Sequence, residues 1–395
     1  MSAHLSDALV ETLSAHLDLG KSRLLTLSWL IIGLVNARTV NLSHLAAQCA
    51  GDAKVSSSYR RVQRFFQFVS LDGDWLAQAV IKLLKLKAPW TLCIDRTNWS
   101  IGRLEVNILM LAIATRRFRI PLMSRSATAS RRRSGLPCPT FGAVLLQAGM
   151  WTILDKAGSS NQEERIALMR RYPSLFGAAS IVWLLADREF IGARWLRFLL
   201  DNDVTFAVRL KDNSRVCLDD GRHYQLKSLL RKRSSFKRLR QRQGRLITMD
   251  EDPGLPLYFA AKRLKNGEML INATNGPAKN ALNADRRRWQ IECLFGDSKT
   301  RGLNMEDTRL TLPRKLDTLL IIVTLGMAWA YASATAVMGT TSIKTKTHGY
   351  RAQSWFRLGF DHLRKWILHQ QNQAADVWNR IWPKRKSTLK FHSVV

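Results

Sequence analysis

Apolar residues recur at helical spacing through the first 88 positions. "KSRLLTLSWLIIGLVNART" predicts a helix that runs from amphipathic to buried, and "VNLSHLAAQCAGDAKVSSSYRRVQRFFQFV" predicts a helix, a Gly-containing turn and a basic aromatic helix. From residue 89 the period shortens. "WTLCIDRTNW" and "LEVNILMLAIAT" are apolar, β-branched runs that predict adjacent strands. "ASIVWLLADREF" is a continuous apolar run that stops at Asp187, the pattern of a central strand buried on both faces. Before it, "NQEERIALMRRYPSLF" (161–176) carries Ile166, Leu168 and Met169 at helical spacing, with Glu163 and Glu164 in its first turn. Strand, strand, helix, strand predicts a mixed α/β core.

The pattern breaks over 123–147, where Ser, Arg, Gly and Pro dominate; this predicts an inserted loop, with Arg131 to Arg133 solvated. Residues 204–275 predict short strands, "VTFAVRLK", "RLITMD", "LYFAAKRL" and "EMLINATN", around a basic run at 226–245 that contains no acid. Salt-bridged helical faces alternate in sign, so this run predicts a phosphate-facing surface. After residue 281 the pattern is helical, ending in an apolar helix over 316–338. The chain therefore divides into an N-terminal helical domain (1–88), the first part of an α/β core (89–203), a β-rich basic insertion (204–280), final helices (281–339), and a basic C-terminal region with dimerisation as its candidate role (340–395).

Composition narrows the partner. Lys and Arg number 62 against 30 Asp and Glu, a formal net charge of +32, while 46% of residues are hydrophobic. A large globular chain with this surplus calls for a polyanion, and its spread along the whole chain favours nucleic acid over a membrane surface. The turn around Gly51, followed by Ser56 to Ser58, Arg60, Arg61 and Arg64, resembles a helix-turn-helix whose second helix meets DNA. A plain helical hairpin with a solvated basic face has the same pattern. The cysteines Cys49, Cys93, Cys138, Cys217 and Cys293 show no disulfide or metal-site spacing, which fits a reducing cytoplasm. No signal-peptide pattern opens the sequence. The uncharged stretch 319–339 has the length of a membrane span, but its Ala, Ser, Thr and Gly content suits a core helix.

Two acids sit in matching places. Asp95 follows "WTLCI" and Asp187 follows "SIVWLLA", each at the rim where α/β sheets place their sites. A lone Asp after a strand is usually a turn or cap residue; two, after the most apolar strands, are less easily dismissed. Glu292 in "ADRRRWQIECLFGDSKTRG" supplies a third carboxylate. With Arg288 at zero on a helix of about 100° per residue, Glu292 falls near 40°, Lys299 near 20° and Asp285 near 60°, beside the apolar arc of Ile291, Leu294 and Phe295. Three carboxylates of this kind hold two Mg²⁺ or Mn²⁺ ions and support phosphodiester chemistry. Glu306 is a rival third ligand. No P-loop is present, so no nucleotide cofactor is expected.

"DRTNW", "LLADREF" and "RRRWQIECLFGDSKTRG", in this order, resemble the DDE transposases of the insertion-sequence-four family of bacterial mobile elements. That family's helix signature, Tyr-x2-Arg-x3-Glu-x6-Lys, is matched at Arg288, Glu292 and Lys299. The resemblance spans roughly residues 89–335. It implies a ribonuclease-H-like mixed sheet with flanking helices and a β-rich insertion before the last catalytic helix. It also implies Asp95, Asp187 and Glu292 as catalytic metal ligands and cut-and-paste transposition through a hairpin intermediate in a dimeric synapse. The DNA contacts expected are Arg60, Arg61 and Arg64; Arg231, Lys232, Arg233, Lys237 and Arg238; and Arg288, Lys299 and Arg301. Stacking on a flipped base would fall to Tyr224, Phe236 or Tyr258. Asp285 stands at the family's tyrosine, and with the 123–147 segment it raises the prospect of an inactive copy. A metal-dependent nuclease and a non-catalytic DNA-binding protein are the competing readings.

Overall fold

A computed structural model describes residues 3–49, 51–102, 104–115, 119–125, 151–154, 160–231, 240–248, 251–264, 266–299, 301–347 and 351–381. Five helices come first: α1 (Ala3–Ser14), α2 (Lys21–Ala37), α3 (Leu42–Ala47), α4 (Val55–Phe68) and α5 (Gly73–Leu83). Strands β1 (Trp90–Ile101), β2 (Leu104–Ala114), β3 (Arg119–Arg125) and β4 (Trp151–Leu154) follow, then α6 (Gln162–Phe176), β5 (Ile181–Ala186), α7 (Ala193–Asp201) and β6 (Phe206–Arg209). The next section comprises β7 (Arg215–Cys217), β8 (His223–Gln225), α8 (Leu226–Arg231), β9 (Arg240–Thr248), β10 (Glu251–Arg263) and β11 (Met269–Thr274). Five helices close the chain: α9 (Ala278–Asp285), α10 (Trp289–Ser298), α11 (Pro313–Met338), α12 (Trp355–His369) and α13 (Gln371–Ile381).

All strands join one sheet in the order β3-β4-β2-β1-β5-β6-β11-β10-β9-β7-β8. β1 pairs antiparallel with β2 and parallel with β5, and β5 pairs parallel with β6. Three antiparallel strands extended by two parallel ones are compatible with the ribonuclease-H-like sheet that the family resemblance implies. β6, expected in the insertion, pairs with the core strand β5, and β11 pairs antiparallel with β6. The β7–β11 section therefore widens the core sheet. β7, β8 and the short α8 have no counterpart in the sequence reading, because strands of three residues leave almost no period to detect.

Alternation sorts the central strands between two apolar clusters. Leu92, Ile94, Leu184, Ala186, Phe206 and Val208 face α6 and α7. Cys93, Leu185 and Ala207 face the opposite cluster, which α1, α2, α4, α5 and α10 to α13 build with them. The result is three layers, helices on both faces of a sheet. The N-terminal helices share the larger cluster with α10 to α13. Trp355, Trp366 and Trp378 of the C-terminal helices are buried in it as well. α6 opens as its acids suggest: Asn161 and Glu164 form a reciprocal capping box at 2.8 and 2.7 Å.

The apolar α11 is a core helix, as its composition suggests. It is long and apolar enough for a membrane span, but 78% of its most apolar window is buried within the protein, so it gives no evidence of one. Its contact with α12 is close: a Cβ on Gly359 would lie 1.9 Å from the carbonyl oxygen of Ala330. Alanine in a helix interior normally gains about 1 kcal/mol over glycine. Here a backbone carbonyl blocks it, and overpacking of about 1–3 kcal/mol wins. Gly359→Ala is expected to lower the midpoint of chemical denaturation; a raised midpoint would show that the two helices separate freely.

Candidate active site

The parallel register builds the site. Ile94 aligns with Ala186, and Ala186 with Val208. The next residues, Asp95, Asp187 and Arg209, therefore stand in a row across three neighbouring strands. By alternation they project to the face that carries Cys93, Leu185 and Ala207, beneath α9 and α10. Asp95 is not at a strand end, as expected from sequence. β1 continues to Ile101, paired there with β2 alone, so Asp95 marks where the parallel pairing stops.

The stretch 284–302 is likewise not one helix. α9 ends at Asp285, and residues 286–288 form a tight turn in which Arg287 N donates to Ala284 O at 2.8 Å and Arg288 N to Asp285 O at 2.9 Å. Three successive arginines cannot share one buried helical face. Arg286 is exposed, Arg287 Nη1 donates to Thr91 Oγ1 at 2.9 Å, and Arg288 turns inward with 4% exposure. The Cys93 thiol donates to Arg287 O at 3.7 Å, tying this turn to β1.

Arg288 occupies the centre of the acids. Its Nη1 lies 3.0 Å from Glu292 Oε1, 3.8 Å from Asp95 Oδ2 and 3.9 Å from Asp187 Oδ2, and its Nε lies 4.0 Å from Asp285 Oδ1. The structure thus brings Asp95, Asp187 and Glu292 around one atom. In this structure the Arg288 side chain is buried among carboxylates and does not face outward. Glu306 lies elsewhere: it pairs with Lys299 at 3.4 Å and accepts from Ser100 N at 3.4 Å, beyond the end of the parallel pairing. Lys299 itself is the C-cap of α10, with ψ at −146°, and its Nζ donates to Asn98 O at 2.7 Å. The stripe computed on a continuous helix therefore ends at Ser298.

Arg288 offsets part of this cluster's charge without satisfying it. Its Nε and Nη1 are buried and form no hydrogen bond, and Asp187 Oδ1 is buried with no partner. Burial, the largest effect, pushes the Asp95 carboxyl up to about 7, against the lowering effects of the Arg96 amide and the Arg288 charge, while Glu189 and Asp187 raise it further. The oxygen donors suit Mg²⁺ or Mn²⁺. In this state Arg288 spaces them, and among the described residues no three acidic, His or Cys groups are arranged to hold one ion. The three carboxylates are the kind of oxygen donors such ions take, and Arg288 stands between them.

Several supporting residues act through partners distant in sequence. Asp285, 1% exposed, receives Arg209 Nε at 3.1 and 3.2 Å and Arg209 Nη2 at 2.8 Å. The two form a buried ion pair. Burial works to lower the Arg209 pKa, but the hydrogen bonds and charge of Asp285, with Asp187 and Glu292, raise it overall. Arg96 bridges to Glu189 at 3.3 and 3.1 Å, joining the two Asp-Arg motifs. Buried Arg165 donates to Glu189 O at 3.0 Å and lies over Phe190, fixing the turn after Asp187.

The other expected DNA contacts divide. Arg60 and Arg64 line a cavity of ≈ 470 Å³ with Tyr59, Gln63, Arg309 and Lys315. Arg61 does not face it: its guanidinium lies over Trp29 and donates to Thr26 Oγ1 at 2.9 Å and to Ser22 O at 3.1 Å. Arg301 is exposed, its guanidinium against Gly296 of α10. Arg231 is the last residue of α8. Lys232, Arg233, Lys237, Arg238, Phe236 and the 126–147 part of the expected loop lie outside the described residues; 123–125 belong to β3. Tyr224 is half-buried and donates to Asp220 at 2.7 Å, whereas Tyr258 is 42% and Trp289 59% exposed.

A sheet of this order, with acids on two neighbouring strands and a third on the helix above, has the form of a polynucleotidyl-transferase core. Residues 88–329, more than half of the chain, match the transposase DDE domain, and the chain belongs to that family. A comparison with curated proteins finds no match.

A carboxyl raised from 3.8 to about 7 makes the fold's stability depend on pH. The folded state holds a proton there that the unfolded chain has lost. This contribution is therefore complete below pH 3.8 and is lost as pH rises to about 7. In EDTA, the melting-temperature difference between Asp95→Asn and the parent protein is expected to grow in the variant's favour from pH 5 to pH 8. A difference independent of pH would rule out the raised carboxyl.

Proposed function

We propose that the protein is an insertion-sequence-four-type transposase that binds the terminal inverted repeats of its element and catalyses metal-dependent cleavage and strand transfer. The carrying observation is the register that sets Asp95 beside Asp187, with Glu292 gathered to them through Arg288. Asp95, Asp187 and Glu292 would hold two Mg²⁺ or Mn²⁺ ions. Bound there, the ions supply activation of a water or 3′-hydroxyl and charge stabilisation at the phosphodiester. Arg288, released from the acids, takes a phosphate of the strand being cut, and Lys299 and Arg301 follow it along the backbone. Trp289, exposed beside Arg288, gives an unstacked base a platform and stands with Tyr258 as an exposed aromatic for a hairpin intermediate.

The helices before residue 89 read as the end-binding surface. Tyr59, Arg60, Gln63 and Arg64 share one face of α4, while Val62, Phe65 and Phe66 are buried on another. Arginines there suit phosphates and the glutamine amide suits a base edge. A dimer would bring two such surfaces and two active sites to the paired ends, acting on chromosomal DNA in the cytoplasm.

Linear DNA carrying the sequences that flank the coding region tests this, with and without Mg²⁺. Asp95→Asn, Asp187→Asn and Glu292→Gln are each expected to reduce end cleavage by about 10³-fold or more, several kcal/mol of transition-state stabilisation. Glu306→Gln is expected to retain cleavage. Joined products distinguish a transposase from a nuclease, and cleavage that survives Glu292→Gln would refute the triad.

Arg60→Ala and Arg64→Ala are each expected to lower the salt dependence of end binding by about one unit of log–log slope. Arg61→Ala is expected to lower the melting temperature and leave that slope unchanged. An altered slope for Arg61→Ala would mean that it faces DNA.

A further inference from the structure

Asp285 is the one position of the helix signature at which this chain departs from its family, and its surroundings assign it a task. It ends α9, where the helix dipole disfavours an anion, and it is buried to 1% exposure. A carboxylate in such a place needs a cation. Arg209 provides it through three contacts of 2.8–3.2 Å. Arg209 does not come from a distant element. The β5–β6 register makes it the neighbour of Asp187, one position past Ala186↔Val208, on the same face of the sheet. Yet Asp187 Oδ1 is buried and accepts no hydrogen bond. Asp285 takes this guanidinium, while Asp187, its neighbour in register, meets Arg288 at 3.9 Å through Oδ2 and keeps Oδ1 without a hydrogen bond.

We propose that Asp285 is a positioning residue that holds Arg209 away from Asp187 and so keeps that carboxylate available to a divalent cation. The proposal rests on the reading of Asp95, Asp187 and Glu292 as the metal ligands. Without Asp285, Arg209 keeps its place at the end of β6 and finds Asp187 beside it. A charge-assisted pair forms there in competition with the metal. Removing both members of the Arg209–Asp285 pair removes the competitor along with its holder. Apolar replacement of both partners of a buried ion pair is commonly tolerated by a fold in which breaking one is not.

The test is calorimetric titration of the full-length protein with Mn²⁺ in the absence of DNA, on the parent, Asp285→Asn, Asp285→Leu and the double variant Arg209→Met/Asp285→Leu. The near-isosteric Asp285→Asn is expected to bind Mn²⁺ at least about tenfold more weakly, the effect of one new hydrogen bond between charged groups. Asp285→Leu is expected to do the same, and the double variant to return to within about threefold of the parent. A purely structural role predicts that affinity follows melting temperature and that the double variant is no better than the single. Unchanged Mn²⁺ affinity in Asp285→Asn, or a double variant as weak as Asp285→Leu, overturns the proposal. Absence of Mn²⁺ binding by the parent protein would instead overturn the reading of the three acids.

Discussion

Three carboxylates drawn to one point in a protein interior need a positive charge among them or a proton held on one of them. At 4 Å and an effective dielectric constant near 20, each like-charged pair costs about 4 kcal/mol. Here Arg288 supplies that charge, with Nη1 3.0–3.9 Å from Asp95, Asp187 and Glu292. The register of β1 and β5 puts Asp95 and Asp187 on neighbouring strands, where that charge offsets their repulsion. Arg209 and Asp285 form the second, smaller pairing beside the first. Asp95, Asp187, Asp285 and Glu292 against Arg209 and Arg288 leave the centre acidic overall in a chain of net charge +32. Such a centre attracts cations while its surroundings attract a polyanion, the division of labour that phosphodiester chemistry with bound metal requires.

The surplus of basic residues is not spent uniformly on DNA. Arg61 binds α4 to α2 through Ser22, Thr26 and Trp29. Arg165 holds the turn after Asp187, and Arg96 closes onto Glu189. Arginine suits these roles because its fork satisfies several acceptors at once and its plane covers an aromatic ring. Residues adjacent in sequence therefore part company: Arg60 and Arg64 line the cavity beside α4 while Arg61 is consumed by packing. Charge counting gives the partner's class correctly and says nothing about which guanidinium meets it.

The legible parts of the sequence were those carried by local pattern. The apolar runs ending in Asp95 and Asp187, the capped α6 and the buried α11 all declare themselves within a short window. Glu292 was legible because Ile291, Leu294 and Phe295 fix which side of α10 is inward. What failed was the extrapolation beyond that helix. Lys299 lies past a helix that ends at Ser298, and the acids around Arg288 come from strands about 100 and 200 residues earlier. Asp285 looked like decay for the same reason, since Arg209 is 76 residues away in sequence. Long-range ion pairs leave no periodicity behind, so a single sequence shows the charged residue and hides its partner.

Hydrogen bonds link the acidic centre to the cavity beside α4. Beyond Asp95, β1 runs on to Asn98, whose carbonyl oxygen receives Lys299 at 2.7 Å. Lys299 pairs with Glu306 at 3.4 Å, and Glu306 in turn accepts from Ser100. The adjacent Asp307 accepts from the Thr39 hydroxyl and, at 3.4 Å, from the Asn41 amide at the front of α3. Asn41 lines the cavity that holds Arg60 and Arg64, and Arg309 enters it two residues after Asp307. The chain of contacts is short, mostly half-buried, and fastened to strands and helices at each end. It therefore holds the 299–307 segment against β1 on one side and the front of α3 on the other, and gives Lys299 and Glu306 a structural role that metal ligation does not.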